Sequence, residues 1–234
     1  GTDLQVSSDF DNNLFTIAGG PVSSGVYTFI FDKDFFGQDT LNQAITVGSF
    51  PSGSTINLVS LNGSISIGKG GFGGNADGGD GGNGGITLNC TNGSTVNVYL
   101  NGTTPDFGNG TYSADGYLHA AGGGGAGAIS GSGAIIAKAA GGGGAGNTIG
   151  LAGGNTDSQP EGGETFPTNA SKTAGGDGAA VQTRGENAEG GDGGNPGENG
   201  GSGTGDTLGT AGTAGKAIVK NGATVNVITN GETS

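Results

Sequence analysis

Residues 191–215 read GDGGNPGENGGSGTGDTLGTAGTAG. Glycine stands at 191, 194, 197, 200, 203, 209, 212 and 215, with only Asp206 out of step. A repeat of three is neither the period of an α-helix nor the alternation of a strand. It is the period of the polyproline II helix, which turns once in three residues and makes no internal hydrogen bonds. Glycine along one edge lets two such helices approach until N–H groups of one meet C=O groups of the next. The backbone is then satisfied between helices instead of within them. Three forms compete for the run: a flexible Gly-rich linker, a collagen triple helix, and a packed bundle of polyglycine II helices. Collagen needs unbroken Gly-X-Y and abundant proline, whereas this run holds only Pro196 and breaks at Asp206. A bundle needs further runs of the same period, joined by segments that reverse direction.

Such runs exist. Gly70, Gly73, Gly79, Gly82 and Gly85 share one register with Ala76 in its gap, and Gly78, Gly81 and Gly84 form a second edge. A second edge is what an interior helix with more neighbours requires. Shorter runs are AGGGGAG at 121–127, AGGGGAG again at 140–146, and AGGDG at 174–178. Glycines at contacts between helices, where a Cβ has no room, are Gly73, Gly79, Gly82, Gly124, Gly143, Gly176, Gly194 and Gly200. Only 31% of the residues are apolar, and Trp and Met are absent, so a conventional core is thin. Stability then rests on backbone hydrogen bonds worth about 0.5–1.5 kcal/mol each, which predicts a highly cooperative fold.

Residues 1–67 are a different material. Short apolar runs of β character are Leu14–Ile17, Val26–Phe31, Ala44–Val47 and Thr55–Leu58, separated by turn signals such as Gly19-Gly20-Pro21 and Pro51-Ser52-Gly53. Phe10, Phe15, Phe29, Phe31, Phe35 and Phe36 crowd into this part and can build a real core. The expectation is a β-rich base or attachment region at 1–67. A glycine-rich region at 68–234 then carries the bundle, its loops and the closing strands. The fold class is mostly β and irregular: a small β domain plus a sandwich of polyglycine II helices joined by long tip loops.

A second repeat joins the two regions. Residues 53–63 read GSTINLVSLNG, 93–102 read GSTVNVYLNG, and 222–231 read GATVNVITNG. Each is a strand with aliphatics on one face and Thr and Asn on the other, ending in the Asn-Gly turn signal. Three near-copies predict three stacked rungs of one sheet. The runs at 68–85 and 121–215 are then excursions that leave this platform and return to it. On that geometry the connections Asn101–His119, Asn147–Lys172 and Val181–Glu189 form a far tip. They hold Phe107, Tyr112, Tyr117, His119, Phe166 and Arg184, residue types that anchor binding surfaces. Capping of the open bundle ends is the alternative use of these rings.

The net charge is −13, from 20 acidic and 7 basic residues. That excludes phosphate-directed nucleic-acid binding, which depends on clustered Lys and Arg, and favours a protein or neutral-sugar partner. Cys90 is the single cysteine, so no internal disulfide can form. No apolar run is long enough to span a bilayer, no signal peptide is visible, and the opening at Gly1 reads as a fragment or processed product.

SGSTINLVSLNGSISIGKGGFGGN (52–75), GGITL (84–88) with the second Asn-Gly strand, the AAGGGG runs, and GTAGKAIVKNG (212–222) resemble the glycine-rich adhesins of tailed bacteriophages. These are the receptor-recognising tips of T-even-like long tail fibres and related terminal domains of central tail fibres. The resemblance spans roughly residues 50–231. It implies glycine motifs at 68–85, 121–127, 140–146, 174–178 and 190–215, with variable receptor-binding loops at 101–120, 147–173 and 179–189. It further implies a virion protein at the tail-fibre tip, partnered by other tail-fibre chains and by a bacterial outer-membrane protein or surface polysaccharide. A homotrimer is one assembly it allows. Residues 1–50 resemble the β lead-in of a central fibre and show no counterpart of the long-fibre attachment domain.

Enzymatic chemistry finds little in the residues, and no cofactor, metal or membrane insertion is expected. His119 has no second His for a zinc site, and no nucleophile elbow occurs. GGDG at 78–81, 175–178 and 190–193 does not keep the frame of the calcium-binding nonapeptide roll. GKGG at 68–71 and GKAI at 215–218 do not complete a phosphate loop. The competing use of polyglycine II helices is a structural or ice-binding face. Ice binding needs a flat array of small residues, whereas the non-glycine positions here read as Asp, Asn and Glu without a flat Thr ladder.

Overall fold

The computed structural model describes residues 3–7, 12–37, 43–91, 93–108, 110–132, 135–146, 165–171, 173–229 and 232–233. Phe10 lies outside the described residues, as do 147–164 and 172 of the expected second loop. The structure is mostly β, with one helical turn. In chain order the elements begin with β1 (Asp3–Gln5), β2 (Asn12–Asn13), α1 (Leu14–Ile17), β3 (Val26–Phe31), β4 (Phe35–Phe36) and β5 (Ile45–Thr46). Then come β6 (Thr55–Ser60), β7 (Ile65–Ile67), β8 (Leu88–Asn89), β9 (Thr95–Tyr99), β10 (Gly102–Thr103), β11 (Ser113–Ala114) and β12 (Tyr117–His119). The remaining strands are β13 (Ala128–Ser132), β14 (Ile135–Ala139), β15 (Ala180–Thr183), β16 (Glu186–Glu189), β17 (Thr207–Leu208), β18 (Ile218–Val219), β19 (Thr224–Thr229) and β20 (Glu232–Thr233).

These strands wind into a three-sided parallel coil. The first side is the sheet β1-β3-β6-β9-β19, closed by β20; the second is β4-β7-β12; the third is β2-β5-β8-β18. All pairings among them are parallel except that of β20. Each coil visits the sides in turn: β3, β4, β5, then β6, β7, β8, then β9, β12, β18. The three near-copies in the sequence are the adjacent strands β6, β9 and β19, with Thr55, Thr95 and Thr224 in register. Their alternation works as expected. Tyr27, Ile56, Val96 and Val225 share one inward column, and Phe29, Leu58, Val98 and Val227 share the next. On the outer face an amide ladder runs through Asn226 Nδ2 to Asn97 Oδ1 and Asn97 Nδ2 to Asn57 Oδ1, both 2.9 Å.

The core inside the coil is where the early phenylalanines meet. Phe50 packs against Phe15, Tyr27 and Phe29 at ring-centroid distances of 5.5, 4.9 and 6.3 Å. Phe31 and Phe35 meet edge to face, and Leu14, Ile45 and Leu88 fill the remaining space. Leu14–Ile17, expected as a strand, is instead the helical turn α1. Asn13 caps it by accepting the Thr16 N–H at 3.2 Å, a local bond that competes with strand pairing.

Both excursions leave from the same corner of the coil, between its second and third sides. Residues 68–85 connect β7 to β8, and 120–215 connect β12 to β18. Their glycine segments have neither helix nor strand geometry, and their lateral bonds to any one neighbour recur at every third residue. Gly71 and Gly74 donate to the carbonyls of Gly122 and Gly125 at 3.0 and 2.8 Å, and Gly144 and Gly141 donate back to Gly71 and Gly74 at 2.7 and 2.9 Å. Segment 121–127 exchanges such bonds with 69–74, 79–85, 140–146, 190–194, 198–201 and 209–215, so it is enclosed on every side. That enclosure explains why AGGGGAG carries only glycine and alanine. A Cβ on Gly124 would overlap the Phe72 carbonyl oxygen, and one on Gly200 the Gly124 carbonyl oxygen. Gly176 and Gly194 face Thr168 and Glu198 carbonyls in the same way. At Gly79 a Cβ would stand 2.8 Å from Asn75 N, and at Gly82 it would press on the exposed Phe72 ring. Gly73 and Gly143 are buried.

The run 191–215 is not one continuous pass but three. Asn195-Pro196-Gly197-Glu198 reverses the chain, with Glu198 N bonded to Asn195 O at 2.9 Å. The break at Asp206 is the second reversal. Its N–H reaches Ile129 O at 2.7 Å, and its carboxylate accepts the Gly131 N–H at 2.8 Å.

Candidate binding surfaces

The stack has a near end at the coil and a far end away from it. At the near end Gly146 N bonds Ser171 O and Gly215 N bonds Ala121 O. At the far end the antiparallel hairpins β13–β14 and β15–β16 continue beyond the glycines, with β17 beside β13. Ala128, Ala137, Ala139, Ala179, Val181 and Ala188 form a small buried cluster between the hairpins. Small side chains suffice there because the glycine segments below already set a close chain spacing.

The six candidate residues do not converge on one tip. Among the described residues, Val181–Glu189 lies at the far end as the hairpin β15–β16, and Thr165 of the second expected connection bridges Ala180 there. Arg184 sits exposed at its turn with φ +47°. Phe166 follows the bridge of Thr165 to Ala180 and is 61% exposed. The connection after Asn101 instead folds back on the coil. Phe107 packs edge to face on Tyr99 at 5.5 Å, and Tyr112 joins the same cluster with Ile30, Val59 and Ala114. The Tyr112 hydroxyl donates to Asp3 of β1, so this insertion spans the outer face of the first side. That bond raises the Tyr112 pKa, whereas burial raises that of Tyr99. The reason is the outward-facing apolar column Ile30, Val59 and Tyr99, which the insertion buries and which would face water without these two rings. Asp106 shapes the loop: its carboxylate accepts the Gly108 and Gly110 N–H groups at 2.7 and 2.9 Å, which lowers its pKa.

Tyr117 and His119 project from the same side of β12, two residues apart, and their rings stack at 5.8 Å with an interplanar angle of 10°. Gly116 permits this approach, because a Cβ there would overlap Ser60. Leu100, Asn101, Asp115, Thr229 and the two rings line a cleft of about 320 Å³. Burial lowers the His119 pKa, which favours the neutral imidazole.

The sequence reading passed over β13–β14, although GAISGSGAIIAKAA carries two Ile-containing runs around a Gly-Ser-Gly turn signal. It also passed over Phe72, exposed beside Lys69 and Asn83. The non-glycine positions of the stack have a structural use as well. Asp80, Asn83, Asp192 and Asn199 accept the outward N–H groups of Thr210, Thr213, Gly178 and Ala214 at 2.6–2.9 Å. Thr207, Thr210 and Thr213 stand three apart and exposed on the last segment. The neighbouring rows of Asp and Asn do not extend them into a flat array.

Among the described residues no group of three or more His, Cys, Asp or Glu side chains is placed to hold a metal ion, and no helix is long and apolar enough to cross a membrane. Burial pushes the Cys90 thiol up to about 11, so it is protonated at neutral pH. No curated protein and no solved structure matches the chain. The family model described as phage tail fibre adhesin Gp38 matches residues 2–234. That family is one of structural and binding proteins of the bacteriophage tail fibre, so the function is receptor binding at the host surface together with other tail components. With the match running over essentially the whole chain, the protein belongs to the phage tail fibre adhesin Gp38 family.

Proposed function

We propose that this adhesin sits at the tip of its fibre and grips a bacterial outer-membrane protein or surface polysaccharide through loops held by polyglycine II helices. The observation that carries the reading is the far end. There, hairpins β13–β14 and β15–β16 and the turn before β17 emerge side by side from a laterally bonded stack. A scaffold whose N–H groups are satisfied by neighbours every third residue is stiff, and loops on stiff scaffolds commonly carry binding. The period of three, the lateral bonds and the lack of helix or strand geometry support the polyglycine II assignment.

Arg184 and Phe166 are the proposed receptor contacts on the stack, and Tyr117 and His119 those on the coil. Phe107 and Tyr112 act by holding the 101–116 insertion in place. Residues 1–67, which share the coil's sheets with β8, β9, β12, β18 and β19, are the proposed attachment region, and the glycine-rich part of 68–234 carries recognition. The test is binding of the labelled chain to a panel of Gram-negative strains, including mutants lacking single outer-membrane proteins or surface glycans. Strain-restricted binding, lost from one mutant class and weakened by Arg184→Ala, is the expected result. Absence of binding to every strain would refute the reading.

A further inference from the structure

We propose that the cleft on β12 is a sugar site, which takes one neutral pyranose ring against Tyr117. The inference deepens the adhesin reading and rests on it for biological context, but its geometry stands apart from the far-end hairpins. Tyr117 is 53% exposed, yet its ring is not free to swing, because it lies parallel on His119. β12 is an outer strand of its sheet, and among the described residues no strand pairs with its free edge. An aromatic face presented in this way attracts polarised C–H groups, which carry positive charge toward the ring's negative face. The axial C–H face of a pyranose offers such groups.

The rest of the cleft supplies partners for hydroxyls. Asp115 Oδ1 accepts the Gly63 N–H at 3.1 Å, which anchors the carboxylate and leaves Oδ2 without a partner among the described residues. A carboxylate oxygen accepts hydroxyl protons as charge-assisted bonds, about twice as strong as neutral ones. Asn101 brings both an amide donor and an acceptor, and Thr229 a hydroxyl. Leu100 closes one wall with apolar surface. A volume of about 320 Å³ lies at the small end of the ~300–1,000 Å³ range of small-molecule sites, room for one ring and part of a second. The sign of the charge selects among sugars. Asp115 in the cleft and a net charge of −13 disfavour uronic acids, sialic acids and phosphorylated sugars. Neutral hexoses, heptoses and N-acetylhexosamines remain.

Saturation-transfer NMR on the whole chain with glucose, galactose, N-acetylglucosamine and L-glycero-D-manno-heptose tests the site. At least one should receive saturation, strongest at its ring C–H protons. Tyr117→Ala should weaken that binding by at least about tenfold, and Asp115→Asn should weaken it without touching the aromatic platform. Circular dichroism of both variants should match the parent, since both side chains are exposed. No transfer to any of the four sugars, or transfer that persists in folded Tyr117→Ala, would overturn the site. The adhesin reading is judged separately by binding to cells. Cells bound without any sugar transfer defeat the cleft alone, and sugar transfer without binding to any strain defeats the far-end reading alone.

Discussion

The coil and the glycine stack solve the same problem with opposite means. In the coil, inward columns such as Phe29, Leu58 and Val98 are buried, and side-chain burial contributes most of the stabilisation. In the stack, the enclosed segment 121–127 presents nothing larger than a methyl group, and its backbone bonds to neighbours on all sides. Burial of side chains tolerates a change of shape at a cost set by the cavity. Contact between backbones tolerates no added atom, because the partner is a carbonyl oxygen that cannot move without breaking its own bonds. The lesson is that the part with the fewest side chains is the less forgiving of substitution.

The largest effect should follow from adding a side chain inside the stack. Gly200→Val places its Cβ on the Gly124 carbonyl, and Gly194→Val meets Glu198. Each should exceed the ~1–3 kcal/mol of an overpacked core and abolish cooperative melting of the stack. Normal thermal unfolding of either variant would contradict close packing of the backbones. Next comes Leu58→Ala in the coil, expected to cost about 2–5 kcal/mol as a cavity while leaving the chain folded in calorimetry. If Leu58→Ala were more damaging than Gly200→Val, the comparison between the two regions would be reversed.

Smaller effects sharpen the division. Asn97 both donates to Asn57 and accepts from Asn226, so Asn97→Ala interrupts the ladder at two bonds. Its expected cost in chemical denaturation is about 1–3 kcal/mol, the penalty for unpaired buried polar groups. The Tyr112–Asp3 bond has a pH signature. A phenol whose folded pKa is raised stabilises the fold at neutral pH, and that stability is lost as pH rises through the raised value. An alkaline titration of stability should therefore flatten in Tyr112→Phe. Arg184→Ala should leave melting unchanged and reduce binding to cells by about tenfold, the scale of a single interface anchor. Equal binding by variant and parent would remove Arg184 from the recognition surface.

Legibility followed the kind of regularity in each segment. Thr55, Thr95 and Thr224 could be aligned by eye because β6, β9 and β19 repeat one alternating pattern, and alternation survives tertiary context. Leu14–Ile17 misled because its apolar run fits a strand as well as a turn of helix, and the deciding bond comes from Asn13 outside the run. The connection holding Phe107 and Tyr112 misled for a different reason. Its rings stand between glycine motifs and so suggest a tip, whereas the outward-facing apolar column Ile30, Val59 and Tyr99 draws them back and is buried by them. The hairpin β13–β14 was overlooked between two conspicuous glycine runs.

By itself the sequence determined the two materials, the period of three and the stacked rungs. Periods are local, so they can be counted along a chain, whereas the carbonyl that excludes a Cβ belongs to another segment, as Gly124 does for Gly200. Tertiary structure decided the order of neighbours: that 121–127 lies at the centre, that 191–215 folds into three passes, and that 101–116 covers the coil. Glycine edges are chemically identical, so nothing in them names a partner. The hairpins β13–β14 and β15–β16, the reversals at Asn195–Glu198 and Asp206, and the coil corner from which both excursions start set which edges meet.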